Sequence, residues 1–216
     1  MTDTIESTTQ RIKKAGIIAI LRGDYTVADM LGIGKALLAG NVTVMELTLN
    51  SPNALAALPQ LIAHFGDRLL IGAGTVRDAT LARHAIEAGT GFMVAPNFDP
   101  ETVAVARSYG VLHLPGIYTA TEVQAAVAAG CRMLKIFPMV DPVGPAYLKA
   151  LRGPFHDVDF MPTGGISLEN IADFARAGAV AVGVGANLVR DRSMPAEEIT
   201  GRAQALRSAW DAVKNA

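Results

Sequence analysis

The sequence predicts an α/β fold, a TIM-type (β/α)8 barrel with an extra N-terminal helix, and three observations carry that expectation. Short aliphatic runs alternate with helical patterns eight times, at a period of roughly 20 to 25 residues and without a linker between units. The runs are apolar on both faces, as the strands of a parallel sheet covered by helices must be. Of 216 residues, 50% are hydrophobic but only 6% are aromatic, so small aliphatic side chains have to fill the space between helices and sheet. That length suits a single domain over residues 1–216.

A polar, helical start over MTDTIESTTQRIKK precedes the first apolar run, 16–21, which ends at Arg22-Gly23. Helical spacing follows over 27–38 and is closed by Ala39-Gly40. Strands are then expected at 42–49, 69–73, 92–95 and 111–114, and helices at 52–65, 79–88, 100–109 and 120–129. Gly89, Gly110 and Gly130 stand where the last three of these helices should stop. The sixth strand lies within 132–138 and precedes a helix near 144–151. The seventh is 158–161, followed by a helix over 168–177 and Gly178, and the eighth is 180–184, followed by a long helix over 196–213. A doubly wound open sheet is the rival fold. Against it, the turn after the first strand is Leu21-Arg22-Gly23-Asp24, which is not a dinucleotide-binding fingerprint.

Lys and Arg number 19 against 20 Asp and Glu, a formal charge of −1, and no long run of either sign occurs. That balance argues against nucleic acid or a membrane surface as a partner, so an anionic small molecule would need a local site. The single cysteine, Cys131, cannot form an internal disulfide, and the N-terminal stretch lacks the apolar core of a signal peptide. No apolar run reaches the roughly 20 residues of a membrane-spanning helix. A cytoplasmic enzyme is expected.

The chemistry gathers around Arg132-Met133-Leu134-Lys135-Ile136-Phe137-Pro138. Alternation puts Met133, Lys135 and Phe137 on one face and Leu134 and Ile136 on the other. A lysine inside such a strand is costly while charged. Burial favours the neutral amine, which can attack a carbonyl and form a Schiff base; the alternative is a structural lysine in a buried ion pair. Active sites of α/β barrels lie at the C-terminal ends of the strands. There Ile18 and Ile20 share a face with Arg22, Val44 with Glu46 and Thr48, Ala73 with Thr75, and Met161 with Thr163. If those faces point inward, Arg22, Glu46, Thr75, Lys135 and Thr163 converge on one pocket. Threonines suit strands for structural reasons, and Arg22 could simply be solvated, but Glu46 between Met45 and Leu47 needs a partner. Lys135 could be that partner. The turns Pro162-Thr163-Gly164-Gly165-Ile166-Ser167 and Val184-Gly185-Ala186-Asn187, each leading towards a helix, offer backbone N–H groups for a phosphate.

These motifs resemble the 2-keto-3-deoxy-6-phosphogluconate aldolase family, which also includes phosphogalactonate and 4-hydroxy-2-oxoglutarate aldolases. The carriers are Ile18-Ala19-Ile20-Leu21-Arg22-Gly23, Glu46-Leu47-Thr48-Leu49-Asn50-Ser51-Pro52, Ile71-Gly72-Ala73-Gly74-Thr75-Val76, Leu134-Lys135-Ile136-Phe137-Pro138 and Pro162-Thr163-Gly164-Gly165-Ile166, spread from Gly16 to Val189. The resemblance implies a class I pyruvate aldolase, an aldehyde-lyase, working without metal or cofactor, usually as a homotrimer. It implies Lys135 as the Schiff-base lysine and Glu46 as general acid and base. Arg22 and Thr75 would hold the substrate carboxylate, Thr163 would contact the C4 hydroxyl, and Gly164, Gly165, Gly185 and Ala186 would hold the phosphate. The chain mixes features. Asn50 stands where phosphogluconate-type members carry arginine, and Ala95-Pro96-Asn97 looks like the phosphogalactonate type, whereas Thr163-Gly164-Gly165 looks like the phosphogluconate type. Ala186 stands where members often place serine. Alternatives are a 4-hydroxy-2-oxoglutarate or other pyruvate-dependent aldolase, a phosphate-binding barrel isomerase or synthase without Schiff-base chemistry, and a barrel that binds ligand without catalysis.

Overall fold

The computed structural model describes residues 4–140 and 144–214. The first three residues of the polar start, and the outer limits of the 1–216 domain, lie outside the described residues. Helix α1 (Ile5–Ala15) begins at Thr4, whose side chain accepts from the Ser7 N–H while the Thr4 N–H donates to the Ser7 hydroxyl. Gly16 ends it in the left-handed conformation, φ 67°.

All later strands pair in parallel. They are β1 (Ile17–Leu21), β2 (Val44–Thr48), β3 (Leu70–Gly74), β4 (Phe92–Val94), β5 (Leu112–Leu114), β6 (Gly116–Ile117), β7 (Met133–Ile136), β8 (Asp159–Pro162) and β9 (Val182–Val184). Between and after them lie α2 (Val27–Ala39), α3 (Ala54–Phe65), a 3-10 turn (Gly66–Arg68), α4 (Ala79–Glu87), α5 (Pro100–Ser108), α6 (Ala120–Ala128), α7 (Gly144–Arg152), α8 (Ile171–Arg176) and α9 (Ala196–Lys214). Among the described residues, no helix is long and apolar enough to cross a membrane.

The strands form two ladders, β5-β4-β3-β2-β1-β9 and β6-β7-β8, rather than the one uninterrupted ring expected. Pro115 explains the first seam. It has no N–H to donate, so the fifth strand, expected at 111–114, ends as β5, which pairs with β4, and beyond Pro115 a short strand that was not expected, β6, pairs with β7. Its carbonyl still accepts the Lys135 N–H at 2.9 Å, and the Gly116 N–H turns away to the Asn97 carbonyl at 3.1 Å. Across the second seam, Thr163 and Gly183 form a single parallel bridge and the Val180 N–H donates to the Phe160 carbonyl. The parallel sheet therefore curls around an inner core.

Two apolar layers result. Ile18, Val44, Phe92, Leu114, Met133 and Met161 meet inside the curl, where Ile12 of α1 joins them. The alternate residues, such as Ile17, Met45, Leu134 and Ile136, pack outward under the helices. Lys13 of α1 anchors the helix to the sheet through a 2.9 Å salt bridge to Asp159 at the start of β8. Inside and outside faces are thus as alternation predicts on β1, β2, β7 and β8. Strand β3 is the exception: Leu70 faces in while Ile71 and Ala73 face out, so Ala73 does not share the inner face.

Candidate active site

Where the inner faces of β1, β7, β8 and β9 reach their C-terminal ends, apolar side chains give way to polar ones around a cavity of about 310 Å³. Arg22, Lys135, Thr163, Gly164, Gly165, Gly185 and Ala186 all line it, as does Phe137. A larger cavity of about 420 Å³ lies beneath α1 and contains none of the expected site residues.

Lys135 is 4% exposed and Glu46 only 1%. The Lys135 Nζ stands 5.0 Å from the centre of the Phe137 ring. Among the described residues no salt bridge joins lysine and glutamate, so the structural ion pair is not formed. Burial pushes the Glu46 carboxyl upward, opposed by the charges of Lys135 and Arg22. Burial pushes the Lys135 amine downward; Glu46 opposes that shift and Arg22 adds to it. Both shifts run towards the uncharged forms. Glu46 Oε2 and Thr163 Oγ1 are buried without a hydrogen-bond partner. Leaving such atoms unpaired costs about 1–3 kcal/mol each, and buried orphans of this kind in native proteins call for a functional or structural reason.

Arg22 continues the Ile18–Ile20 face beyond the end of β1, and its Nη2 donates to Thr75 Oγ1 at 3.3 Å. The alternation argument reached Thr75 by a wrong step. Ala73 faces outward, so a regular strand would carry Thr75 outward too; instead Thr75 adopts φ 60°, which breaks the strand and redirects its side chain to Arg22. Thr48 has a structural part. Its hydroxyl donates to the Leu21 carbonyl and meets Ser51 Oγ, which in turn accepts the Gly23 N–H at 3.0 Å. That network holds the loop carrying Arg22 against the end of β2. Asn50 is exposed and does not line the cavity.

On the opposite side, Gly164 and Gly165 have φ 94° and 71°. A Cβ on Gly165 would stand 2.9 Å from the Met139 carbonyl, so space and backbone conformation both require glycine there. The Asn187 side chain donates to the Ile166 carbonyl at 2.8 Å and ties the two turns together. The helices expected to begin at these turns start later. After Gly165, residues 167–170 form a turn closed by Asn170, whose Oδ1 accepts the Ser167 N–H, and α8 begins only at Ile171. After Gly185, the N–H groups of Leu188 and Val189 donate to its carbonyl in one turn, and the next helix is α9. Turn backbone therefore lines this end of the cavity. Arg190 also lines it, with its Nε donating to Asp191 at 3.0 Å. The sequence reading stopped at Asn187 and missed it. A cation a few residues beyond a glycine-rich turn was the available signal.

The model of the KDPG and KHG aldolase family matches residues 8–203. A 2-dehydro-3-deoxy-phosphogluconate aldolase of Pseudomonas aeruginosa is 40% identical over 174 residues, 79% of this chain and 78% of that protein. A solved structure described as native KDPGal superposes with a TM-score of 0.86 at 32% identity, covering 93% of this chain and 96% of that one. A KDPG aldolase of Legionella pneumophila, solved with pyruvate captured at low pH as a covalent carbinolamine intermediate, superposes with a TM-score of 0.81 at 27% identity over 99% of both chains. With its strand-end lysine, buried carboxyl and glycine turns, the chain belongs to the KDPG and KHG aldolase family.

Proposed function

We propose that this chain is a class I aldolase that cleaves a 2-keto-3-deoxy-6-phospho sugar acid, of the phosphogluconate or phosphogalactonate type, to pyruvate and glyceraldehyde 3-phosphate. The observation that carries the proposal is the buried, unbridged pair of Lys135 and Glu46 at one end of the inner sheet face. The carbinolamine captured in the Legionella relative supports the same chemistry.

The neutral Lys135 amine attacks the C2 ketone and forms a carbinolamine. Glu46, whose carboxyl burial shifts towards the acid form, gives its proton to the departing hydroxyl; water leaves, and the carboxylate now faces an iminium cation that stabilises it. Glu46 then takes the proton of the C4 hydroxyl. The C3–C4 bond breaks, its electron pair flows into the iminium, and glyceraldehyde 3-phosphate departs as the aldehyde. The remaining enamine accepts a proton at C3 from Glu46, and water hydrolyses the imine to release pyruvate and the amine.

In this reading Arg22 and Thr75 hold the substrate carboxylate and Thr163 meets the C4 hydroxyl, which supplies the partner its buried oxygen lacks. The turns at Gly164-Gly165 and Gly185-Ala186 receive the phosphate through backbone N–H groups, and Arg190 adds a cation at their edge. Ala186 offers no hydroxyl, so charge and backbone carry more of the phosphate than in relatives with serine there. The reading also takes the two ladders as one closed barrel forming a single domain, and a homotrimer in the cytoplasm as the working form.

Mass spectrometry after incubation with pyruvate and borohydride, followed by peptide mapping, tests the assignment. A reduced pyruvate adduct should appear on the Lys135 peptide and vanish in Lys135→Ala together with turnover. No adduct, or one on an exposed residue such as Lys149, would overturn it and bring forward a phosphate-binding barrel in which Lys135 acts only as a charge.

A further inference from the structure

We propose that Gly74 is a positioning residue, whose missing side chain makes room for the Glu46 carboxyl at its buried station. The inference rests on the acid–base part given to Glu46 above. Strands β2 and β3 pair in register, Glu46 with Gly72 and Thr48 with Gly74. The Glu46 side chain leans along the sheet over Gly74, so a Cβ built there would stand 2.6 Å from Glu46 Oε1, 2.9 Å from its Cδ and 3.1 Å from Thr48 Cγ2. Real Cβ atoms do not approach other heavy atoms as closely as the first two distances, so something has to move.

What would move is the carboxyl. All three obstructing atoms belong to side chains, and the closest is the free end of a flexible one. The backbone of Gly74 is fixed by the β2 ladder and by its carbonyl, which accepts the Leu49 N–H at 2.8 Å. Gly74 is also absent from the glycines with positive φ, so alanine meets no backbone strain there. Space is what the position supplies. Gly72, two residues earlier on the same inner face, offers a contrast: although it pairs with Glu46 in the ladder, the atoms its Cβ would strike are those of the Phe92 ring in the apolar core, not the carboxyl. Gly183 repeats the arrangement around the site, since a Cβ there would stand 2.5 Å from Thr163 Oγ1. Two orphaned oxygens, one on Glu46 and one on Thr163, belong to side chains seated on a neighbouring strand's glycine.

The test separates imine formation from proton transfer. Borohydride trapping with pyruvate reads the Lys135 imine, and exchange of the pyruvate methyl protons with deuterated water reads the proton that Glu46 moves at C3. Gly74→Ala should still trap pyruvate on Lys135 at long incubation, though more slowly because Glu46 also assists the loss of water, while methyl exchange per imine formed falls by about 10²-fold or more, within the usual contribution of a placed acid–base group. Gly72→Ala should lower thermal stability and leave exchange per folded molecule unchanged. On a Glu46→Gln background, adding Gly74→Ala should cost nothing further, because no acid remains to be displaced. Should Gly74→Ala fail to fold, Glu46→Ala/Gly74→Ala removes the collision and should fold again; continued failure overturns the proposal. Unchanged exchange in Gly74→Ala, or an equal loss on the Glu46→Gln background, overturns it as well. Absence of any adduct in the unmodified protein would instead defeat the aldolase reading itself, an outcome distinct from these.

Discussion

The inner faces of the same strands carry opposite chemistry at their two ends. On β1, β2 and β7 the N-terminal halves contribute Ile18, Val44 and Met133, which pack with Ile12 of α1 and with Met161 of β8. One or two alternations further on, the same faces present Arg22, Glu46, Lys135 and Thr163. Nothing in strand geometry distinguishes the ends; only the residue identities do. The apolar end is close-packed and stabilising, and it provides the rigid base on which the polar end can hold uncompensated groups in place. The cost of burying Glu46 and Lys135 is borne by that packing, as strain at functional sites usually is.

The largest effect should come from the polar end. Glu46→Gln should lower aldol turnover by about 10²- to 10⁴-fold, since it removes the acid–base group we propose. Its effect on folding has the opposite sign. Folding raises the Glu46 pKa above its ordinary 4.5, so above that pH the unfolded chain gives up a proton that the folded protein keeps. The unmodified protein therefore loses stability relative to Glu46→Gln as pH climbs from 4.5 through the folded-state pKa, where the loss levels off. Urea unfolding of both proteins from pH 4 to 8 measures this, and parallel curves would show that burial does not protonate Glu46.

The apolar end should behave the other way. Met133→Ala, at the buried start of β7 and level with Asp159 in the ladder, should cost about 2–5 kcal/mol of stability. Turnover per folded molecule should change little at moderate temperature. A large fall in turnover with stability intact would mean that the two ends are one catalytic unit.

The smallest effect concerns a titratable group away from both. His113 is 7% exposed and belongs to β5, and burial lowers its pKa to about 4, with the Met93 backbone carbonyl as acceptor and the Asp99 charge acting against that shift. The unfolded chain takes up the proton near pH 6.5, so stability drains away as pH falls from 6.5 to about 4. At about 1.4 kcal/mol per pH unit the full loss is roughly 3 kcal/mol. His113→Leu should flatten that slope without changing the pH dependence of turnover. An unchanged slope would show that His113 is reached by solvent in the folded state.

Lys135 and Glu46 were legible in the sequence because a charge in an apolar run is conspicuous and strand alternation has only two faces. What alternation cannot describe is the chain after a strand ends. Thr75 reaches Arg22 through a left-handed backbone that no face rule anticipates, and Arg190 enters the cavity from a turn whose path depends on three-dimensional packing. Strand β6 escaped for a related reason. Two residues are too few to show a period, and Pro115 reads as an end when it is a pivot. The late start of α8 follows from Asn170 satisfying the Ser167 N–H, a side-chain contact that Leu168 and Ile171, both apolar, conceal in a hydrophobicity pattern.

That pivot has a consequence for how the enzyme could be retuned. The Lys135 N–H donates to Pro115, the neighbouring Gly116 N–H donates to Asn97, and a Cβ on Gly116 would collide with the Pro96 backbone. The height of the Lys135 backbone above the apolar floor is thus registered against the Pro96-Asn97 loop, outside the cavity. Substitutions in that loop are a lever on the lysine's position that leaves every cavity-lining side chain as it is.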